Sequence, residues 1–137
     1  MDPDQDLFVT LQRVAGRLIQ DTQTVLKPAG LSPQQYNVLR ILRGAKGALN
    51  CTEIANRMIN RDPDMTRLLD RMEAKGWIER ARDGQDRRVV LATITQAGLD
   101  LIAGLDLPMK ESHRRQFEGL DEERKHLVTE SLKLLLG

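Results

Sequence analysis

Between Ser32 and Pro63 the chain carries one helix-start signal after another, and their spacing dictates short helices joined by tight turns. Ser32-Pro33-Gln34-Gln35 is the first. Serine caps, proline suits the first helical position, and Gln35 closes a capping box. Asn50-Cys51-Thr52-Glu53 is the second, with Asn50 as cap and Glu53 placed to reach back. Asp62-Pro63 is the third. These signals predict helices from residue 33 to Gly44 or Gly47, over residues 51–59 and over residues 63–75, the last ending at Gly76. Ile54, Ala55, Met58 and Ile59 are the expected inward side of the middle helix. Two short capped helices joined by a brief turn suggest a helix-turn-helix.

The periodicity of the next helix is informative. Met65, Leu68, Leu69 and Met72 recur at i, i+3, i+4 and i+7 and form one apolar stripe. At about 100° per residue, Pro63, Arg67, Asp70 and Ala74 face directly away, flanked by Thr66 and Arg71. This outward face is small, hydroxylated and mixed in charge, which suits a groove better than a uniformly basic rod. Past Gly76, apolar β-rich runs flank Arg82-Asp83-Gly84-Gln85-Asp86-Arg87-Arg88, and Asp83-Gly84 is a strong turn signal. Residues 77–94 therefore read as a hairpin with a charged tip. Helix, helix, hairpin is the order of a winged helix-turn-helix.

The flanks are helical as well. Leu7, Phe8, Leu11, Val14, Ala15, Leu18, Ile19, Val25 and Leu26 recur at helical spacing over residues 5–27, a helix of roughly 34 Å. That is long for so small a domain. The stripe is either half of a helical dimer interface or the face of a long core helix in a monomer. Thr95 is a cap, and Leu99, Leu101, Ile102, Leu105 and Leu107 continue a helical pattern that Pro108 is expected to break or kink. The pattern resumes through Met109, His113 and Phe117, and Gly119-Leu120-Asp121 stops it and caps a last helix over residues 122–136. The kinked region faces the first helix, where it lines either a ligand cavity or plain dimer packing.

Composition narrows the function. At 137 residues, 40% hydrophobic and 30% charged, the chain is one globular domain, with no apolar run long enough to span a membrane. The acidic start MDPDQDLF lacks a signal pattern, so a cytoplasmic location is expected. A net charge of +1 does not by itself suggest nucleic acid, so a DNA site must come from local arrangement. Aromatics at 3% disfavour stacking on single strands. Cys51 is the lone cysteine, and His113 and His126 lack metal-spaced partners, so no metal or cofactor is expected. There is no phosphate-binding glycine motif and no legible nucleophile–base pair among Ser32, Ser112 and Ser131. The chain does not read as an enzyme.

Residues 50–98 contain DMTRLLDRMEAKGWIER followed by DRRVVLATITQAG, with SPQQYNVLRIL before them. In this order they resemble the MarR family of bacterial transcription regulators, with Asp86 and Arg88 in the family's Asp-x-Arg positions. The resemblance implies a mainly α fold, in which a winged helix-turn-helix with a short β-hairpin wing is joined to N- and C-terminal dimerisation helices. The DNA-binding lobe would span about residues 32–95, and the dimerisation helices about residues 5–28 and 96–137. It further implies a homodimer on pseudo-palindromic duplex DNA, usually a repressor, responding to a small and often phenolic ligand or to an oxidant. The oxidant-sensing branch keeps its cysteine in the first helix, where this chain has none. Cys51 lies at a helix start, where a thiol pKa can fall, and a packed inert thiol is the plainer reading.

Candidate DNA-contacting residues follow from the motif. Asp64, Thr66 and Arg67 lie at the N-terminal end of the second helix, the part that enters a major groove. Arg67 is the candidate for a base edge, Thr66 for a thymine methyl or a phosphate, and Arg71, one turn on, for a phosphate. Asp64 is adverse beside phosphate unless an arginine or a cytosine takes it. The competing reading is a solvated face with i,i+4 ion pairs. Asp86 and Arg88 are two apart, so on a strand they share a side, and the carboxylate holds the guanidinium extended. The resemblance assigns Arg88 to a narrow minor groove, with Arg87 beside it. The alternative is an ordinary surface ion pair. Asn50 and Thr52 either meet phosphate or only cap. The alternative function is a winged-helix module that binds protein and not DNA, which the near-neutral charge and Asp64, Asp70 and Asp83 keep open.

Overall fold

The computed structural model describes residues 2–137. Helix α1 (Pro3–Leu26) runs into one turn of tighter helix (Lys27–Ala29), and Gly30, at φ 72°, turns the chain toward α2 (Pro33–Gly44). Both halves of the predicted capping box are formed: Gln35 N–H donates to Ser32 Oγ at 3.1 Å, and Ser32 N–H to Gln35 Oε1 at 3.0 Å. Strand β1 (Leu49–Asn50) leads directly into α3 (Cys51–Arg57), where Asn50 and Glu53 form the second box. Then come α4 (Met65–Ala74), β2 (Ile78–Arg82), β3 (Val90–Ile94), α5 (Gln96–Ala103), α6 (Asp106–Gln116) and α7 (Glu122–Leu136).

The sheet is antiparallel in the order β1-β3-β2, with Leu49 opposite Ala92 and Arg80 also opposite Ala92. Beneath it a continuous core joins Leu26, Val38, Leu39, Ile54, Met72, Ile78 and Ile102. Each large aliphatic side chain buried there contributes about 1.5–3 kcal/mol relative to exposure.

Several expectations need correction. The middle helix stops at Arg57, so Ile59 is not inward but 83% exposed in the turn that follows. The third start lies at Asp64, not Asp62-Pro63: Asp64 Oδ1 accepts Arg67 N–H at 3.0 Å, and Pro63 precedes the helix. The hairpin gains a third strand, β1, whose two residues exist as a strand only through pairing with β3. Pro108 does not interrupt a helix. The break lies earlier, at Gly104 and Leu105, and Pro108 occupies the first turn of α6, where its missing N–H would have no helical partner. Leu107 is accordingly exposed, at 69%.

One junction ties the wing to the following helix. Thr95 Oγ1 accepts Gly98 N–H at 3.1 Å and donates to Gly76 carbonyl oxygen at 2.6 Å, while Thr95 N–H donates to Trp77 carbonyl oxygen at 3.0 Å. A Cβ at Gly98 would stand 2.4 Å from that Trp77 oxygen and 2.8 Å from Ile94 Cγ1. Gly98→Ala is therefore expected to cost about 1–3 kcal/mol through forced backbone movement, read as a fall in the urea midpoint. An unchanged midpoint would mean the junction is looser than this.

Candidate nucleic-acid interface

The sequence stripe on α4 faces inward: Met65, Leu68, Leu69 and Met72 are all buried. Thr66, Arg67, Asp70 and Arg71 are consequently exposed. Met65 N-terminal to them begins the helix, so Thr66 and Arg67 belong to its first turn, and Arg71 lies one turn on. Among the described residues no carboxylate pairs with Arg67, Arg71 or Arg87, so the ion pairs of the competing solvated-face reading are not formed. Asp64 is engaged as the helix cap, and its own N–H donates to Asp62 Oδ1 at 2.8 Å. Asn50 is likewise engaged in its capping box. Cys51 is half-buried at the start of α3.

The wing tip brings Asp86 and Arg88 together, though not on a strand. Both lie in the loop between β2 and β3. Arg88 N–H donates to Asp86 Oδ1 at 3.1 Å, its Nε to the same oxygen at 3.1 Å, and its Nη2 to Oδ2 at 3.2 Å. A spacing of two fits this aspartate turn as well as it fits a strand. The guanidinium is held on one side, and the Arg88 side chain is still 91% exposed. Asp83 N–H donates to Val89 carbonyl oxygen at 2.8 Å and Arg82 Nη1 to Arg87 carbonyl oxygen at 2.8 Å, which close the loop around Gly84. Arg87 and Arg88 thus project from a shaped tip.

The sequence reading missed Arg80. On β2 it alternates in phase with buried Ile78, and a charge on the inward phase of a strand signals a partner. The partners are Asp70 and Glu73 of α4. Arg80 N–H donates to Glu73 Oε2 at 2.9 Å, Nη2 to Glu73 Oε1 at 3.0 Å, and Nη2 also to Asp70 Oδ1. The Arg80 side-chain bond, then its backbone N–H, hold the Glu73 carboxyl below the usual carboxylate range. Asn37 was missed too: its Oδ1 accepts Ile59 N–H at 2.8 Å and anchors the turn between α3 and α4 to α2. No local pattern announces that contact.

Behind the lobe, a cavity of about 680 Å³ opens between α1, α2, α6 and the turn after α3. Leu18, Tyr36, Asn37, Arg40, Met109 and His113 contribute to its wall. The Arg40 guanidinium lies 5.9 Å over the Tyr36 ring. Across the same junction Arg43 of α2 makes a forked pair with Asp106 of α6, both bonds at 2.9 Å.

The sequence profile of the MarR family matches residues 31–90. Over 128 residues the chain is 30% identical to the HTH-type transcriptional repressor IacR of Pseudomonas putida, covering 93% of this chain and 76% of that one. The crystal structure of a MarR transcription factor from Planctomyces limnophilus is 32% identical and covers 98% of both chains, with a TM-score of 0.76. This chain belongs to the MarR family. It is a DNA-binding transcription regulator of that family and not an enzyme. The Staphylococcus aureus MepR–DNA complex, 22% identical, shares its fold, with a TM-score of 0.85 over 93% of this chain and 94% of that one. No described helix of this MarR-family chain is long and apolar enough to cross a membrane.

The wing pair has a defined pH response. Hydrogen bonds from the Arg88 side chain, then from its backbone N–H, lower the Asp86 pKa from its ordinary 3.8. A depressed carboxylate keeps its contact fully above the unfolded pKa and loses it as pH falls through the folded value. The Arg88 pose is therefore expected to persist unchanged through neutral pH and to fail only in acid. A carbon-detected NMR titration of the Asp86 carboxyl checks this. Its midpoint should lie below 3.8 in the wild type and rise in Arg88→Gln.

Proposed function

We propose that this regulator is a homodimeric repressor that binds a pseudo-palindromic operator and releases it when a small ligand enters the cavity behind each DNA-binding lobe. The observation that carries the DNA half is the exposed arginine set of α4 and the wing. Arg67 reads a base edge in the major groove, Thr66 meets a thymine methyl or a phosphate, and Arg71 contacts phosphate. Asp64 caps the helix that presents them. Asp86 holds Arg88 for an adjacent minor groove, with Arg87 beside it. The winged lobe spans about residues 32–95.

The dimer half rests on apolar surface that one chain leaves uncovered. No residue of α7 is buried, and Leu127, Leu134, Leu135 and Leu136 are 56–87% exposed. On α1, Leu7 and Phe8 are 50% and 63% exposed. An isolated helix of α7's length is marginal in water. A second copy supplies the missing cover, with residues 5–28 and 96–137 as the dimerisation helices. Two recognition helices then stand about 34–36 Å apart, one turn of duplex.

The repressor role follows the name of the Pseudomonas relative. The ligand-release reading is supported by the cavity lying between α1 and α6 on one side and α2 with the α3–α4 turn on the other. An occupant that fits only one spacing of these parts shifts the population toward it and away from DNA. The protein acts in the cytoplasm, where its operator is.

Selection from random duplexes, followed by anisotropy across a salt series, tests the reading. An inverted repeat should be recovered. Arg67→Ala should relax specificity at one position and cost about 1–3 kcal/mol. Arg71→Ala should reduce the salt slope by about one, and Arg88→Ala should cost affinity. Val128→Asp with Leu132→Asp should convert a dimer to a monomer in sedimentation. No enriched site and no salt-dependent binding would favour a protein-interaction module instead.

A further inference from the structure

We infer that Arg80 is a positioning residue for DNA binding: by engaging Asp70 and Glu73 it keeps Asp70 off Arg67, neutralises both acids and fixes the wing against the recognition helix. The inference rests on the reading that the exposed side of α4 meets DNA.

Asp70 raises the problem that Arg80 solves. It lies on the stripe opposite the core, at i+3 from Arg67, with its side chain 57% exposed. Left alone, a carboxylate there does two kinds of damage. It repels phosphate, and it is spaced to pair with Arg67 along the helix. Glu73, 40% exposed on the same helix, adds a second negative charge. Asp70 does not take Arg67, and both carboxylates are bound to a guanidinium from another element; Glu73, at i+2 from Arg71, is not spaced to pair with it and matters through its charge.

Arg80 is suited to the task. Its side chain is only 21% exposed, so it lies under the face and does not project from it. Its Nη2 bonds both carboxylates while its Nε adds a bond to Glu73 Oε1 at 3.3 Å, a two-nitrogen grip that a lysine ammonium cannot make. Its backbone N–H also donates to Glu73, at 2.9 Å, so the contact fixes the strand as well as the side chain. Because β2 leads straight into the wing tip, the same contact sets where Arg87 and Arg88 stand relative to Arg67. The face presented to DNA thereby keeps free arginines with the acids of α4 already neutralised.

The test uses full-length protein on the selected duplex, with Arg67→Ala alongside. Arg80→Gln should weaken binding about 10- to 100-fold, since it leaves like charges facing across an interface. Asp70→Asn/Glu73→Gln/Arg80→Gln should return to within about threefold of wild type, with the wild-type salt slope, because Arg80 itself neutralises no phosphate. The triple variant introduces no unpaired charge, so it carries the test alone if Arg80→Gln does not fold. A triple variant that stays weak with its salt slope reduced by about one would overturn the inference and make Arg80 a direct phosphate contact. Wild-type affinity in Arg80→Gln, with Arg67→Ala still weak, would overturn the inference while leaving the groove reading intact. Wild-type affinity in Arg67→Ala would overturn the groove reading, and this inference with it.

Discussion

The burial of one face of α4 is the constraint from which the site follows. Met65, Leu68, Leu69 and Met72 leave that helix a single way to sit on the core. Removing any of them opens a cavity in a packed interior, at about 2–5 kcal/mol for a truncation to alanine. Seating that face turns Thr66, Arg67, Asp70 and Arg71 to solvent without any further instruction. Gly76, at φ 78°, then reverses the chain, so β2 returns alongside the helix it has just left. The wing is positioned by the same packing that positions the helix.

The lobe and its flanks differ in how complete they are. Around residues 31–109 the chain closes a core of its own, with Leu26 of α1 reaching in from the N-terminal side. The outer parts of α1 and the whole of α7 bury little. A forked Arg43–Asp106 pair and the Gln116–Asp21 bond at 3.2 Å tie α6 to its neighbours at the surface. Leu26 of α1 and Met109 of α6 join the same apolar core, so these polar ties and the cavity beside them lie at the rim of a packed junction.

Much of this was legible because the signals are local. Both capping boxes join residues three apart, so sequence spacing is nearly the whole of their geometry. The α4 stripe and the Asp83-Gly84 turn are of the same kind. What could not be read depends on distant partners. Leu49 and Asn50 form a strand only because β3 returns beside them. Arg43 finds Asp106 across 63 residues. The Pro108 expectation failed because proline disfavours a helix interior but not a first turn, and Gly104 had already ended α5. Ile59 falls inward only if the helical period continues past Arg57, where the helix stops. A spacing of two pairs Asp86 with Arg88 on a strand and in a turn alike, and the contact is made in a turn. Arg80 was legible in principle from its phase with Ile78, but its two partners lie on another element.

Amide chemical-shift mapping of the full-length protein, titrated with duplex DNA at low salt, tests the central claim most directly. The largest perturbations should fall at Thr66, Arg67 and Arg71 and at the wing tip around Arg87 and Arg88, with α7 unmoved by DNA. Perturbations confined to α1 and α7, or none at α4, would contradict it.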